Sequence, residues 1–438
     1  MPTVIELPHV KRTLPNGLDV LVHEDRRVPI VAVNLWYHVG SKNERTGRTG
    51  FAHLFEHLMF EGSEHYNGGY FTPLQQAGAL LNGSTNTDRT NYWEVVPTSA
   101  LELALWMESD RMGYLLPALT RERFETQRDV VLNERRQNYE NRPYGMALMA
   151  LSAALYPPQH PYHWLTIGAA DDIRAMEFED VRAFFRTYYH PANASLALAG
   201  DIGTEQAFEL AEKYFGDIAP GTKPQPVEAE ASLPREIRLV LEDSVELPRL
   251  YIAWHSPAMF ADGDAEADLL ADLLANGKTS RLYRTLVYEK RMALDVSAYQ
   301  HSREISSFFL LAATAAPGHS LTDIAALIDE GVQGLVDEGP TAHEMERGVA
   351  QAEAHFMYRL QTVGGFGGKS DQLNAYNVFR GDPDFFGSDL ERYRRATPQS
   401  VRNAARRYLP FDRRVVLSIV PRGKEPLALA GSERVVVS

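Results

Sequence analysis

The chain contains no cysteine. That excludes disulfides, thiolate metal sites and a cysteine nucleophile together. Any transition metal must then be held by histidine and carboxylate, and there are 14 histidines to consider. Long apolar runs are also missing. The longest, such as residues 307–313, fall far below the roughly 18 residues that a spanning helix needs, which predicts no membrane insertion. Positive charge is in deficit, with 44 Lys and Arg against 58 Asp and Glu and a net charge of −14. An acidic chain without a concentrated basic patch repels phosphate backbones, so nucleic acid is not an expected partner. Residues 1–14 lack the basic start, apolar centre and small-residue cleavage site of a secretory signal. With no signal peptide visible, the expected compartment is cytoplasmic or periplasmic.

What is present is enough for two cores: 438 residues, 44% of them hydrophobic. The alternating stretch 17–23, a long apolar run at 28–39 and a helix pattern from about Thr49 are matched by 236–242, 247–255 and 265–275. The two copies lie about 220 residues apart, a spacing that fits a duplicated domain better than a solenoid. Residues 92–96 leading into the helix 99–112 likewise match 307–313 leading into 321–332. Between the copies, 219–234 (APGTKPQPVEAEASLP) is proline-rich and poorly apolar, the composition of a linker. The expected division is an N-terminal domain at 1–218, a linker at 219–235 and a homologous C-terminal domain at 236–438. Strands mixed with helices in each half predict an α/β chain of the α+β kind. Each domain would be a mixed, mostly antiparallel sheet covered by helices.

Within the first predicted helix, His53, Glu56 and His57 form H-x-x-E-H. At 3.6 residues per turn all three project from one arc about 100° wide. Histidines four apart on a helix are close enough for both imidazoles to meet one ion. Glu56 need not bind the metal and is free to move a proton to and from water. Leu54, Phe55 and Leu58 make the helix a buried one, and burying these polar groups requires a compensating partner such as a cation. A catalytic zinc takes three protein ligands. The helical stretch 121–141 offers Glu122, Glu125, Glu134 and Glu140 as the third, and periodicity alone does not choose among them.

The motif in its context, Gly50 to Ser63, resembles the pitrilysin/insulinase (inverzincin) family of zinc metallopeptidases. So do RDVVLNE ending at Glu134, HPY at 160–162 and YYHPANASLALAGDI at 188–202. The similarity is greatest to the bacterial branch related to mitochondrial processing peptidase, and it extends into the second copy through SRLYRTLVYEKR at 280–291 and GGFGGKSDQL at 364–373. The resemblance implies one Zn2+ per chain on His53, His57 and Glu134, with Glu56 as general base. It also implies two homologous domains facing each other across a chamber, and a peptide substrate added along Asn82, Gly83, Ser84, Thr85 and Asn86. A polar, Gly-containing edge of that kind leaves main-chain groups free for strand addition. Two departures qualify the match. Gln127 stands where the family has a second glutamate supporting the metal, and a neutral amide cannot raise a ligand's basicity as a carboxylate does. Tyr288 and Asp295 occupy the slots of an Arg and a Tyr that clamp the substrate. The expectation is therefore a zinc endopeptidase that works as one subunit of a heterodimer, its homologous partner supplying the clamp. The rival is a non-catalytic scaffold or peptide-binding subunit with a vestigial site.

Overall fold

The computed structural model describes residues 6–437, which carry two six-stranded mixed sheets with helices packed against them. The first sheet is built from β1 (Val10–Thr13), β2 (Asp19–Glu24), β3 (Ile30–Tyr37), β4 (Leu80–Thr85), β5 (Thr90–Pro97) and β6 (Ala194–Gly200). Its order is β1-β2-β6-β3-β5-β4, with β2 parallel to β6 and the other pairs antiparallel. The second comprises β7 (Ile237–Asp243), β8 (Arg249–Ser256), β9 (Ala293–His301), β10 (Ser307–Ala315), β11 (Val415–Pro421) and β12 (Glu433–Arg434). Its order is β12-β7-β11-β8-β10-β9, with β7 parallel to both β11 and β12. Apart from β1 and β12, the two sheets share one topology: β2-β6-β3-β5-β4 becomes β7-β11-β8-β10-β9. Residues 219–233 contain neither helix nor strand.

Two compact units result, each assembled from three chain segments. The first takes residues 1–133, 166–227 and 355–389; the second takes 134–165, 228–354 and 390–438. In the second unit, Ala150, Leu151 and Leu155 of the helix Ala147–Leu155 join Ala253, Leu310 and Leu417 in one apolar cluster. In the first, the helix Lys369–Arg380 lies on β3 and β6 through polar contacts. Asp371 accepts from Asn34 Nδ2 at 3.2 Å, Trp36 Nε1 at 2.9 Å and Asn91 Nδ2 at 3.2 Å, and Asn374 accepts from Ser195 Oγ at 2.8 Å. This explains why the apolar run of β3 is interrupted by Asn34. With both faces of the sheet covered, a buried polar residue is tolerated because it is hydrogen-bonded. Among the described residues no helix is long and apolar enough to cross a membrane.

Candidate metal centre

The H-x-x-E-H segment lies on the helix Phe51–Leu58. Leu54, Phe55 and Leu58 are fully buried, while His53, Glu56 and His57 are half-buried on the opposite arc. Phe55 is set among Phe184, Phe185 and Tyr189, with ring centroids 5.7, 5.8 and 5.1 Å away, an aromatic wall that fixes which face of the helix is left polar. The helix starts at Gly50, whose φ of +97° is one that side-chain-bearing residues rarely adopt. A second glycine, Gly168, backs onto it: a Cβ at Gly168 would lie 2.6 Å from the Gly50 Cα. The first turn has no side-chain cap from its own N-cap residue. Instead the Glu44 carboxylate, 8% exposed, accepts from the Gly50 and Ala52 N–H groups, both at 2.9 Å.

His53 and His57 meet edge to face, with ring centroids 4.9 Å apart and planes at 87°. One nitrogen of each and one carboxylate oxygen of Glu134 lie within 4.8 Å of one another. Glu134 sits in the last turn of the helix Arg121–Arg135, which continues into a π-helical turn at Arg136–Glu140. Of the four glutamates offered by this stretch, Glu122, Glu125 and Glu140 are exposed and Glu134 is half-buried beside the histidines. Asn138 Nδ2 donates to Glu134 Oε1 at 3.2 Å, and Glu140 is drawn away by an ion pair with buried Arg135. Two imidazoles and one carboxylate are the donor set of an open, catalytic zinc site, so the residues present fit that ion. Gln127 donates through Nε2 to Glu61 Oε1 at 2.7 Å, and so ties its helix to the residue four places after His57.

β4 is the edge of its sheet, pairing with β5 on one side only among the described residues. Asn82, Gly83, Ser84 and Thr85 lie on it. Gly83 has no room for a side chain, since a Cβ would approach Tyr92 at 2.9 Å and Phe60 at 3.0 Å. Asn86 falls just beyond the strand, where its side chain accepts from the Asp88 and Arg89 N–H groups and closes the turn into β5. Arg89 then reaches back to donate to the Ser84 carbonyl at 2.8 Å. Burial pushes its guanidinium below its usual range, and the nearby carboxylates of Asp371, Glu56 and Asp88 oppose that shift. Burial likewise raises the hydroxyls of Tyr92 and Tyr189, and the charge of Glu56 adds to it. Glu44 and Arg89 escape sequence reasoning because each acts through a fold-made contact; Glu44 stands six positions before its helix, outside the usual capping spacing. In the second unit, Tyr288 is 75% exposed and Asp295 pairs with Arg249 at 3.0 Å.

The two-sheet fold is that of a peptidase family, and the His/His/Glu cluster is compatible with zinc. The chain belongs to the M16 (insulinase) peptidase family: residues 19–162 match the family model described as insulinase (peptidase family M16), and residues 175–352 match the peptidase M16 inactive domain. Zinc protease PqqE of Helicobacter pylori is 30% identical over 387 residues, covering 86% of each chain. A mitochondrial-processing peptidase subunit beta of Caenorhabditis elegans is 26% identical over 267 residues, 60% of this chain and 56% of that one. The crystal structure of a protease from Helicobacter pylori superimposes with a TM-score of 0.88 at 26% identity, covering 95% of this chain and all of that one (100%).

Proposed function

We propose that the chain is a zinc-dependent endopeptidase acting on peptides or small unfolded polypeptides, with His53, His57 and Glu134 as metal ligands and Glu56 as general base. The observation that carries this reading is the convergence of three ligand atoms within 4.8 Å, with Glu56 on the same half-buried arc of the helix as the two histidines. Zinc held there would supply Lewis-acid polarisation of the scissile carbonyl and of the attacking water. The remaining chemistry is the protein's own. Glu56 takes a proton from the water and returns it to the leaving amine nitrogen. The free side of β4 holds the substrate main chain extended by strand addition. Gln127, through Glu61, supports the helix that carries His57. A neutral amide at this position predicts weaker metal retention than a carboxylate would give, by about 10-fold or more.

We further propose that the active form is a hetero-oligomer. Neither Tyr288 with Asp295 nor the adjacent pair Val287 with Leu294, also seven apart, offers an Arg and a Tyr. The Asp295 carboxylate is moreover engaged by Arg249. A homologous second subunit would supply that pair, and relatives named as peptidase subunits support the idea. The deciding experiment measures zinc content and peptide hydrolysis for the parent and for Glu56→Gln, each alone and mixed with homologous chains. The expected result is unchanged zinc and turnover lower by about 10²–10⁴-fold in the variant. Equal turnover would remove Glu56 as the base. Absence of turnover in every combination would favour a scaffold subunit with a vestigial site.

A further inference from the structure

The first unit contains a cavity of about 480 Å³ at the start of β4, walled by Ile30, Leu80, Trp93, Val95, Val363 and Gly364. That volume falls within the range of small-ligand pockets, roughly 300–1,000 Å³. The wall is mostly apolar; the ion-paired Asp25 and Arg27, with Gln361 and Thr362, supply its polar part. We propose that this cavity is a subsite for one large apolar side chain of the polypeptide laid along β4. The inference rests on the assignment of β4 as the substrate-pairing edge made above.

Register leads to it. Leu80 pairs with Val95 and Asn82 with Trp93, and residues directly opposite one another share a face of the sheet. Leu81 with Glu94 and Gly83 with Tyr92 therefore occupy the other face. A strand added beyond β4 alternates in the same way. Its residue opposite Leu80 continues the Leu80–Val95 row and projects onto the face where the cavity lies, while its two neighbours project onto the face of Gly83 and Tyr92.

The opposite wall is built for close approach. Gly364 rests on the sheet so tightly that a Cβ there would lie 2.6 Å from both the Ala32 Cβ and the Val95 Cγ2. The strap that carries it is pinned at its start, since the Lys369 and Ser370 N–H groups donate to the Thr362 and Val363 carbonyls at 3.0 Å each. The mouth, by contrast, displays unusual apolar exposure: Leu80 is 69% and Val28 53% exposed. Next to it, Phe366, 51% exposed, meets Trp93 edge to face at 5.4 Å. Apolar side chains gathered at the rim of an apolar cavity mark a binding surface better than scattered ones do. The Trp93 indole N–H is buried with no acceptor among the described residues. An occupying main-chain carbonyl would remove that cost.

The test is direct binding, which needs no turnover. Fluorescent Ser/Thr peptides, with and without a single Phe, are titrated against the full-length Glu56→Gln chain. The Phe peptide is expected to bind about tenfold tighter or more, the scale of burying one large apolar side chain. Leu80→Asp and Gly364→Val should each abolish that preference, read as the ratio of the two peptides' affinities for the same variant. Leu80 is exposed, so its variant retains the fold, as circular dichroism would verify, even if Gly364→Val does not. A preference that survives Leu80→Asp, or no gain from Phe, overturns the subsite. So does failure of both peptides to bind, whereas zinc content and hydrolysis by the parent chain then judge the metal site independently.

Discussion

Replacing Glu44 by alanine tests how the helix that carries His53 and His57 is held. Phe51–Leu58 has eight residues, shorter than the roughly 12–15 at which an isolated helix becomes even marginal. Its start has no side-chain cap from Gly50, so the two hydrogen bonds from Gly50 and Ala52 N–H to the Glu44 carboxylate do that work. Loss of a cap costs about 1 kcal/mol, and a carboxylate facing the positive end of the helix dipole contributes about 0.3–1 kcal/mol more. Two buried donors left without an acceptor add to that. We expect the helix to open more easily by about 2 kcal/mol, which corresponds to roughly 30-fold faster amide exchange in this segment. Hydrogen exchange read by mass spectrometry on peptides spanning 51–59 measures it, with the second unit as internal reference. Glu44→Gln, which keeps one acceptor oxygen, should fall between parent and alanine. Unchanged exchange in Glu44→Ala would refute the argument, because the helix would then be held by its aromatic wall alone.

Gly168→Ala should destabilise the first unit by about 1–3 kcal/mol, because φ at Gly168 is +77° and the new Cβ would meet the Gly50 backbone; a thermal midpoint equal to the parent's would contradict the contact. Chelation should lower the thermal midpoint of the parent, and zinc should restore it by mass action; the same treatment should leave His53→Ala unmoved, and an equal response of the two would point to a metal elsewhere. Asp268 sits in the second unit with its carboxyl pushed up to about 7, by burial first and then by Asp264, while the Tyr393 hydroxyl that donates to it at 2.5 Å opposes the rise. Because its folded value lies above its unfolded one, the folded state holds the extra proton, and stability is lost as pH rises from about 4 to 7. Asp268→Asn should therefore match the parent near pH 4 and exceed it above pH 7 by up to a few kcal/mol; denaturant midpoints that keep a constant gap across this range would refute it.

Local pattern carried most of the fold. Near-continuous apolar runs mark β3 and β8 because both faces of these central strands are buried, and the apolar residues at 54, 55 and 58 mark the face that leaves His53, Glu56 and His57 together. Glu134 was harder. Periodicity offered four glutamates, and what separates them is that Glu134 alone is half-buried beside the two histidines, a property of helix placement that no spacing encodes. The helices Ala147–Leu155 and Lys369–Arg380 were harder still. Each packs in a unit composed mainly of residues distant from it in sequence, and the second does so through Asp371, Asn374 and Asn377. Polar residues of that kind read as solvent-facing until their partners on β3 and β6 are known. Arg89 and Glu44 are charges whose partners, the Ser84 carbonyl and the Gly50 and Ala52 N–H groups, meet them only once the hairpin and the turn into the helix have formed.

The topology shared by the two sheets allows the helices that follow β3 and β8 to be compared. The helix after β8, Asp264–Ala275, begins as the helix that carries His53 and His57 does, with a left-handed glycine: Gly263 has a φ of +94° and Gly50 one of +97°. Setting these two caps in register places Glu266, Leu269 and Leu270 against His53, Glu56 and His57. Leu269 and Leu270 are fully buried in a core that includes Ile252, Trp254 and Leu311. The second helix can therefore bury both of those positions at no polar cost. The first cannot, since an unpaired imidazole or carboxylate loses solvation on burial. Glu56→Leu with His57→Leu should accordingly convert the first helix to the second type, abolishing zinc binding without lowering the thermal midpoint of the metal-free protein. A fall of that midpoint well below the metal-free parent's would mean that the polar residues serve the fold itself. Only an unchanged or raised midpoint is consistent with side chains kept for the metal.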